Sequence, residues 1–225
     1  MGICVFAWTV AAAALAAGAL AGSGAGESII ATCTGTITTD ATYEALAVPS
    51  GANCKIAAGA SVTVNGKTDL GSDARILVES GNPTSASLTV AGNVLLARGS
   101  EFLSGGTVAV RGGVIADAPL SVDLEGASTR LGSVDVQSSN GLILLDRASV
   151  DDNLSIRASR GASIVVDDST VGGQLAVLNN RAVGIAVRRN TIGKNLICKG
   201  NDSNNIVIFG NIVAGKEQLI ACTRS

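Results

Sequence analysis

The charged residues that could act together chemically lie in the C-terminal half of the chain, at a repeating spacing. A 21-residue step separates Asp146 from Asp167 (167 − 146 = 21), and an equal step separates Asp167 from Arg188 (188 − 167 = 21), while Asp168 follows Asp167 directly. Carboxylates are ligands for Ca²⁺, but this ion takes roughly six to eight oxygens, and three carboxylates on a flat face supply few. The same spacing stacks opposite charges on neighbouring strands, which is favourable by up to about 1 kcal/mol per pair. We therefore expect a solvated, salt-bridged face, with a ligand-binding face as the weaker alternative.

Several other kinds of chemistry are excluded by residue type. The chain has no His, which removes the commonest general base and metal ligand and with it a conventional Ser–His–Asp triad. No GxSxG sequence occurs, and the glycines do not form a GxGxxG loop between a strand and a helix. The net charge of −2 offers no basic surface for nucleic acid. We expect no catalytic residues, no metal, no cofactor and no nucleic-acid partner.

The elements that must position these charges follow from a repeat. From residue 141 onward the chain repeats with a 21-residue period, and five positions of each block are apolar. The third and fifth positions alternate, as do the fourteenth and sixteenth, which is typical of strands with one buried face. The tenth position of each block is also apolar, so we expect its side chain to point into the core as well. The third and tenth columns contain Ile143, Ile164, Ile185 and Ile206, and Val150, Val171, Ile192 and Val213.

A block of this kind buries its apolar face only by stacking on the next block, about 4.8 Å away. Parallel strands joined by a crossover connection are right-handed in the great majority of cases. Less regular alternating pairs, such as Val108 with Val110 and Val122 with Leu124, extend the pattern upstream. We predict an all-β fold, a single-stranded right-handed parallel β-helix over residues 26–225, with about 21 residues per coil and about nine coils.

The N-terminal segment has a different composition. Residues 3–21 are apolar or small, and no charged residue precedes Glu27. This pattern predicts a signal peptide over residues 1–25 that is cleaved. The segment lacks the usual Lys or Arg, so an uncleaved membrane anchor is the alternative, although Ala and Gly are weakly hydrophobic for an anchor. We expect a secreted or cell-surface protein, with a periplasmic location also compatible, and no stable membrane span after cleavage.

Four cysteines follow this segment, and the repeat narrows the three pairings that four cysteines allow. Cys33 and Cys54 are one coil apart (54 − 33 = 21), so we expect them to lie directly above one another, within disulfide distance. Cys198 and Cys222 are one coil plus a small insertion apart (222 − 198 = 24). We predict these two disulfides, which favour an oxidising compartment. Free buried cysteines are the alternative.

Two further polar patterns belong to the repeat. Asn180 and Asn201 stack at one coil, and Asn153, Gln174 and Asn195 form another column. Amide ladders of this kind stabilise stacked parallel strands. The Thr-rich residues 31–42 are similar in composition to ice-binding arrays, but such arrays need Thr in register across many coils. These threonines lie along one segment, so we expect no array.

The C-terminal blocks resemble secreted bacterial β-helix proteins of uncharacterised function. The similarity lies in residues 171–180 (VGGQLAVLNN), residues 190–202 (NTIGKNLICKGND) and the final Cys222, together with residues 46–56 (LAVPSGANCKI). The resemblance implies the fold and a secreted location. It implies no catalytic residues.

The charged cluster is also similar in residue type to the sites of pectate-lyase-like β-helix enzymes, in which carboxylates bind calcium and Arg or Lys acts as the base. The corresponding residues would be Asp146, Asp167, Asp168 and Arg188. Polysaccharide sites usually also present Trp or Tyr, and only one Tyr and two Phe follow residue 25.

The preferred interpretation is therefore a secreted or cell-surface structural or adhesion module without catalytic activity, whose partner is a surface glycan or a protein. The first alternative is a carbohydrate-active enzyme of the type just described. The second is a self-assembling scaffold, because an open last coil offers strand edges for further pairing.

Overall fold

The computed structural model describes residues 30–126, 128–161, 163–220 and 222. Within these residues the chain is all-β, with 26 strands and no helix. The signal peptide predicted over residues 1–25 lies outside the described residues.

The strands have the following bounds in chain order. They are β1 (Ile30–Thr32), β2 (Thr36–Ile37), β3 (Ala41–Tyr43), β4 (Ala45–Val48), β5 (Asn53–Ile56), β6 (Ser61–Val64), β7 (Thr68–Leu70), β8 (Arg75–Val78), β9 (Ser87–Val90), β10 (Val94–Leu96), β11 (Glu101–Ser104), β12 (Thr107–Asp117), β13 (Ser121–Glu125), β14 (Arg130–Gln137), β15 (Ile143–Asp146), β16 (Ser149–Val150), β17 (Leu154–Arg157), β18 (Ser163–Asp167), β19 (Thr170–Val171), β20 (Leu175–Leu178), β21 (Gly184–Arg188), β22 (Thr191–Ile192), β23 (Leu196–Lys199), β24 (Ile206–Phe209), β25 (Ile212–Val213) and β26 (Glu217–Ile220).

The strands stack in parallel on three faces of a solenoid. Face 1 has nine strands, β2, β5, β8, β11, β13, β15, β18, β21 and β24. Face 2 runs from β3, β6 and β9 to the short strands β16, β19, β22 and β25. Face 3 runs from β1, β4, β7 and β10 to β17, β20, β23 and β26. The long strands β12 and β14 bend and belong to both faces 2 and 3. The predicted parallel solenoid of about nine coils is thus confirmed, and its right-handed sense remains a prediction.

The register of face 1 follows the repeat. Ile143, Ile164, Ile185 and Ile206 are direct partners on successive strands, which confirms the 21-residue step. The tenth position of each block, predicted only as an inward point, forms the two-residue strands of face 2. Upstream, Ile76 pairs with Phe102, so this coil is longer than the repeat (102 − 76 = 26). The extra residues lie in the connection between β8 and β9, because corners tolerate insertion better than stacked strands do.

The core is a continuous column of aliphatic side chains between the three faces. Ile76, Leu124, Ile143 and Ile164 have no exposed surface, and Phe102 is the one aromatic residue among the fully buried described residues. Burial of each such side chain contributes roughly 1.5–3 kcal/mol. Small aliphatic residues fill thin layers without the volume that aromatic rings need. This explains why a chain with 2% aromatic residues still forms a dry core.

Two corners of the solenoid are built from residues with left-handed backbone. Between faces 1 and 2 the corner residues are Gly126, Arg147, Asp168, Arg189 and Gly210. Between faces 3 and 1 they include Asp73, Gly99, Ala118, Ser138, Ala158, Asn179 and Gly200. A single residue with positive φ turns the chain sharply from one face to the next. Glycine adopts this conformation at the least cost, and non-glycine residues there are uncommon.

Candidate functional site

The structure brings the three predicted carboxylates together at the edge of face 1. Asp146 pairs directly with Asp167, and Asp167 pairs directly with Arg188 on the next strand. Asp168 occupies the adjoining left-handed corner. Carboxylate oxygens of Asp146, Asp167 and Asp168 lie within 4.8 Å of one another. The 21-residue step alone accounts for this proximity.

Guanidinium groups pair with all three carboxylates. Arg188 and Arg189 each donate an Nη2 hydrogen bond to Oδ2 of Asp167, at 2.6 and 2.8 Å. Arg189 also makes a two-pronged contact with Asp168, Nε to Oδ1 at 2.8 Å and Nη2 to Oδ2 at 2.9 Å. Nε of Arg147 donates to Oδ2 of Asp146 at 2.9 Å. Three carboxylates and three guanidinium groups therefore form one neutral network.

The electrostatics of this network favour ion pairing over cation binding. The hydrogen bond from Arg189 holds the pKa of the Asp168 carboxyl below its usual value. The side chain of Asp167 is only 8% exposed, and its Oδ2 already accepts two charge-assisted hydrogen bonds. A divalent cation would have to displace guanidinium groups from most of the carboxylate oxygens. The arrangement has the geometry of the salt-bridged face that we expected.

Arg147, Asp168 and Arg189 form one column of left-handed corner residues. The corner column begins and ends with Gly126 and Gly210. The glycines at the same block position were the signal that could have predicted this conformation. Sequence reasoning treated the column only as a row of charges.

Amide ladders run through the interior of two corners. In the first, the Ser159 N–H donates to Oδ1 of Asn180 at 2.9 Å, and Nδ2 of Asn180 donates to Oδ1 of Asn201 at 2.9 Å. Asn180 and Asn201 also donate to the carbonyls of Ile156 and Val177 at 3.2 and 2.8 Å. Stacking of Asn180 on Asn201 was predicted, and the structure adds that both are buried.

The second ladder was missed by sequence reasoning. The Ser169 N–H donates to Oδ1 of Asn190 at 2.9 Å, and Nδ2 of Asn190 donates to Oδ1 of Asn211 at 3.0 Å. These residues share the eighth position of their blocks, so the 21-residue spacing could have revealed them. The predicted column of Asn153 and Gln174 is different in kind, because Oδ1 of Asn153 accepts from the Gln174 backbone N–H at 2.8 Å.

A small array of hydroxyl groups lies on the outer surface of face 2. Thr42, Thr63 and Thr89 are direct partners on successive strands, and Oγ of Ser87 donates to Oγ of the neighbouring Ser61 at 2.8 Å. The column contains three threonines and ends at Ala109, so it is not an array across many coils. Sequence reasoning missed it, although Thr42 and Thr63 keep the regular step (63 − 42 = 21); the longer coil displaces Thr89 (89 − 63 = 26). Hydroxyl pairs of this kind stabilise adjacent strands.

Both predicted disulfides are present. Cys33 bonds Cys54 with a Cα–Cα distance of 5.4 Å, and Cys198 bonds Cys222 at 5.9 Å. The reason given for the first pair is wrong, because the Lys55 N–H donates to the Gly35 carbonyl and Cys33 lies outside the paired residues of β2. Its side chain reaches Cys54 from the connection between β1 and β2. Cys222 follows Asn201 by one regular repeat (222 − 201 = 21) and accepts a hydrogen bond from it, so it ends the first amide ladder.

Comparison with known proteins gives no relative. No protein-family model, no curated protein and no solved structure matches the chain. Among the described residues, no helix is long and apolar enough to cross a membrane. The comparisons therefore do not support the expected resemblance to secreted bacterial β-helix proteins, and only the solenoid fold is confirmed.

One carboxylate outside the network lies in apolar surroundings. Asp123 points outward from the middle of face 1, between its strand partners Leu103 and Leu144. Burial raises the pKa of Asp123, and the nearby Glu125 carboxylate raises it further. Since the folded state holds this proton more tightly than the unfolded state, the contribution of Asp123 to stability grows as pH falls through its raised pKa. Above that pKa the charged carboxylate destabilises the fold.

We therefore expect Asp123→Asn to raise the free energy of unfolding slightly at neutral pH, within about 0.5 kcal/mol. The gain should vanish at a pH below the ordinary Asp value of 3.8. Urea unfolding at the two pH values measures both effects. Asp151→Asn, at an exposed corner, removes the same charge as a control. An equal gain in this control would show that net charge, and not the site of Asp123, is responsible.

Proposed function

We propose that the protein is a rigid structural or adhesion module, secreted or held at the cell surface, that does not act as a catalyst. The observation that carries this proposal is the pairing of its conspicuous polar groups along the solenoid axis. Arg188 and Arg189 bind Asp167 and Asp168 across one coil, and the two amide ladders also join residues one coil apart. Polar groups that bind one another across coils stiffen a stack and leave few charges free to act on a substrate.

The two disulfides support a location outside the cytoplasm. One lies near each end of the described solenoid. Disulfides persist in oxidising compartments and are rare in the cytosol. Nine coils at about 4.8 Å give a stack roughly 38 Å long, with three flat sides for contact with a partner. Such a body is suited to holding surfaces at a defined spacing.

The lyase alternative is weakened by the same network. Asp167, the most buried of the three carboxylates, is held by two guanidinium groups. An Arg that acts as a base must be free to lose a proton, and the ion pair of Arg188 with Asp167 stabilises the charged form of Arg188. The geometry favours a structural role for Asp146, Asp167, Asp168 and Arg188.

Self-assembly is favoured by one feature of the last described coil. Strands β24, β25 and β26 pair on one side only within the described residues. Phe209, Ile212 and Ile220 on this coil are 47%, 71% and 56% exposed. Open strand edges with apolar side chains template further pairing. An average mass that rises with concentration in light scattering would support a scaffold that grows by stacking.

A paired experiment tests the adhesion proposal against the enzyme. On a glycan array, we expect the purified protein to retain a glycan class. Incubated with polyuronides and calcium, it should release no unsaturated product. Asp167→Asn is the informative variant, because in an enzyme it would abolish product and in a structural network it only lowers stability. Product formation that disappears in this variant would refute the proposal.

A further inference from the structure

A polar groove follows the corner between faces 3 and 1. Its floor is formed by left-handed corner residues of five successive coils, from Asp73 to Ala158. Two adjoining cavities of about 170 and 480 Å³ form the groove and share Arg98, Ala118 and Asn140. Four steps of about 4.8 Å make it roughly 19 Å long. The groove runs along the solenoid axis, so its shape fits a linear polymer.

Backbone N–H groups of the groove floor already donate to the next coil. The Gly99 N–H donates to the Ala118 carbonyl, and the Ala118 N–H donates to the Gln137 carbonyl, both at 2.9 Å. The Ser138 N–H continues the series to Arg157 at 2.9 Å. A peptide that adds a strand to a sheet needs free backbone groups at an edge. The floor offers none at these positions, which argues against a peptide occupant.

The charges along the groove identify the chemistry of the occupant. Arg98 and Arg160 are exposed, and their guanidinium groups have no ion pair or hydrogen bond with any described residue. The neighbouring Arg157, in contrast, is held by Asp135 at 2.8 Å. The backbone positions of Arg98 and Arg160 are three coils apart, about 14 Å along the solenoid axis. Guanidinium groups bind carboxylates strongly and with defined geometry.

The remaining groove residues suit sugar hydroxyls. Asp117 and Asn140 line the space between the two arginines and offer oxygen acceptors, and the Asn140 amide adds donors. Ala118 and Ala158 form apolar parts of the floor that can contact the C–H faces of a sugar ring. The lining residues include no aromatic group, which disfavours single-stranded nucleic acid, because proteins bind it largely by aromatic stacking on the bases.

We propose that this groove binds a linear acidic polysaccharide, with sugar carboxylates at Arg98 and Arg160 and hydroxyls at Asp117 and Asn140. The inference rests on the proposed adhesion function and names its ligand class and its binding surface. A sugar unit and a coil have comparable lengths, so successive sugar units lie against successive coils along the corner.

Alginate, a linear polyuronate, is the probe, and dextran is its neutral counterpart. We expect calorimetric titration to show alginate binding that weakens about tenfold or more in the double variant Arg98→Ala/Arg160→Ala, since two charge-assisted contacts are lost. The matched control is Arg111→Ala/Arg130→Ala. Both control residues are exposed and lie in the part of β12 and β14 nearest face 2, and the control removes the same charge. It should change Kd by less than about twofold.

Each other outcome overturns the inference. Equal weakening by both double variants would indicate general charge attraction, and binding of dextran as tight as that of alginate would exclude carboxylate recognition. If the wild-type protein does not bind alginate, the ligand class is wrong. Retention of another glycan or a protein partner in that case would leave the adhesion proposal intact. Unchanged thermal unfolding of the variants confirms that only binding is affected.

Discussion

Removal of the C-terminal disulfide by Cys198→Ala/Cys222→Ala is expected to lower the free energy of unfolding by about 3 kcal/mol. The bridge closes a loop of 24 residues, and its loss gives the unfolded chain more conformations. A solenoid has a further reason for sensitivity at its ends. Each coil is stabilised mainly by its two neighbours, and a terminal coil among the described residues has only one.

The loss of stability should also be confined to the coils near the missing disulfide. We expect faster amide hydrogen exchange in β24, β25 and β26, while β15 and β18 in the middle of the stack keep their protection. The double variant Cys33→Ala/Cys54→Ala serves as the control for position. It should produce a comparable loss at the opposite end, around β2 and β5. Uniform loss of protection along the whole chain would mean that the bridges act on global stability and not on fraying.

The pairing itself has a simple check. Reduction of the unfolded wild-type protein should add two hydrogens per disulfide to its intact mass. If the mass does not change on reduction, the four cysteines are free, and the predicted loss of stability has no basis.

The regular part of the fold could be predicted because the 21-residue sequence period equals the offset between paired residues on neighbouring strands there. Where the coils keep the regular period, Ile143 to Ile206 align in sequence as they do on face 1. Apolar residues recur at inward positions because any other register would expose them. The same arithmetic placed Asp146, Asp167 and Arg188 in one column, so the composition of the charged network was also predictable.

The rest depended on corners, where sequence carries less information. The connection between β8 and β9 lengthens one coil and separates Thr63 from Thr89 by more than the repeat, so the hydroxyl column was missed. The disulfide between Cys33 and Cys54 was predicted correctly. The 21-residue spacing on which that prediction rested, however, differs from the strand register at this end of the solenoid. Whether Arg98 and Arg160 line one groove depends on where each residue lies at the corner between two faces. The pattern of buried apolar residues in the sequence does not give that position.

The first amide ladder allows a second prediction of large effect. Asn180 is fully buried, and its side chain bonds groups on the coil before it and on the coil after it. It accepts from the Ser159 N–H and donates to the Ile156 carbonyl and to Asn201. Asn180→Leu keeps the branched side-chain shape but leaves the buried Ser159 N–H without a partner and removes the bond to the Ile156 carbonyl. Oδ1 of Asn201 still accepts from the backbone N–H of residue 180. One unsatisfied buried group costs about 1–3 kcal/mol, so we expect the free energy of unfolding to fall by about 2 kcal/mol or more.

The neighbouring Asn179 supplies a control of the same residue type. It is exposed at a left-handed corner with φ of 54°, and Gly200 occupies the equivalent position one coil later. Asn179→Gly should therefore change stability by less than about 1 kcal/mol. Urea unfolding of both variants measures the difference. If Asn180→Leu were as stable as the wild type, stacking of the apolar faces alone would hold the coils together. The axial polar pairing on which the proposed structural role depends would then be dispensable.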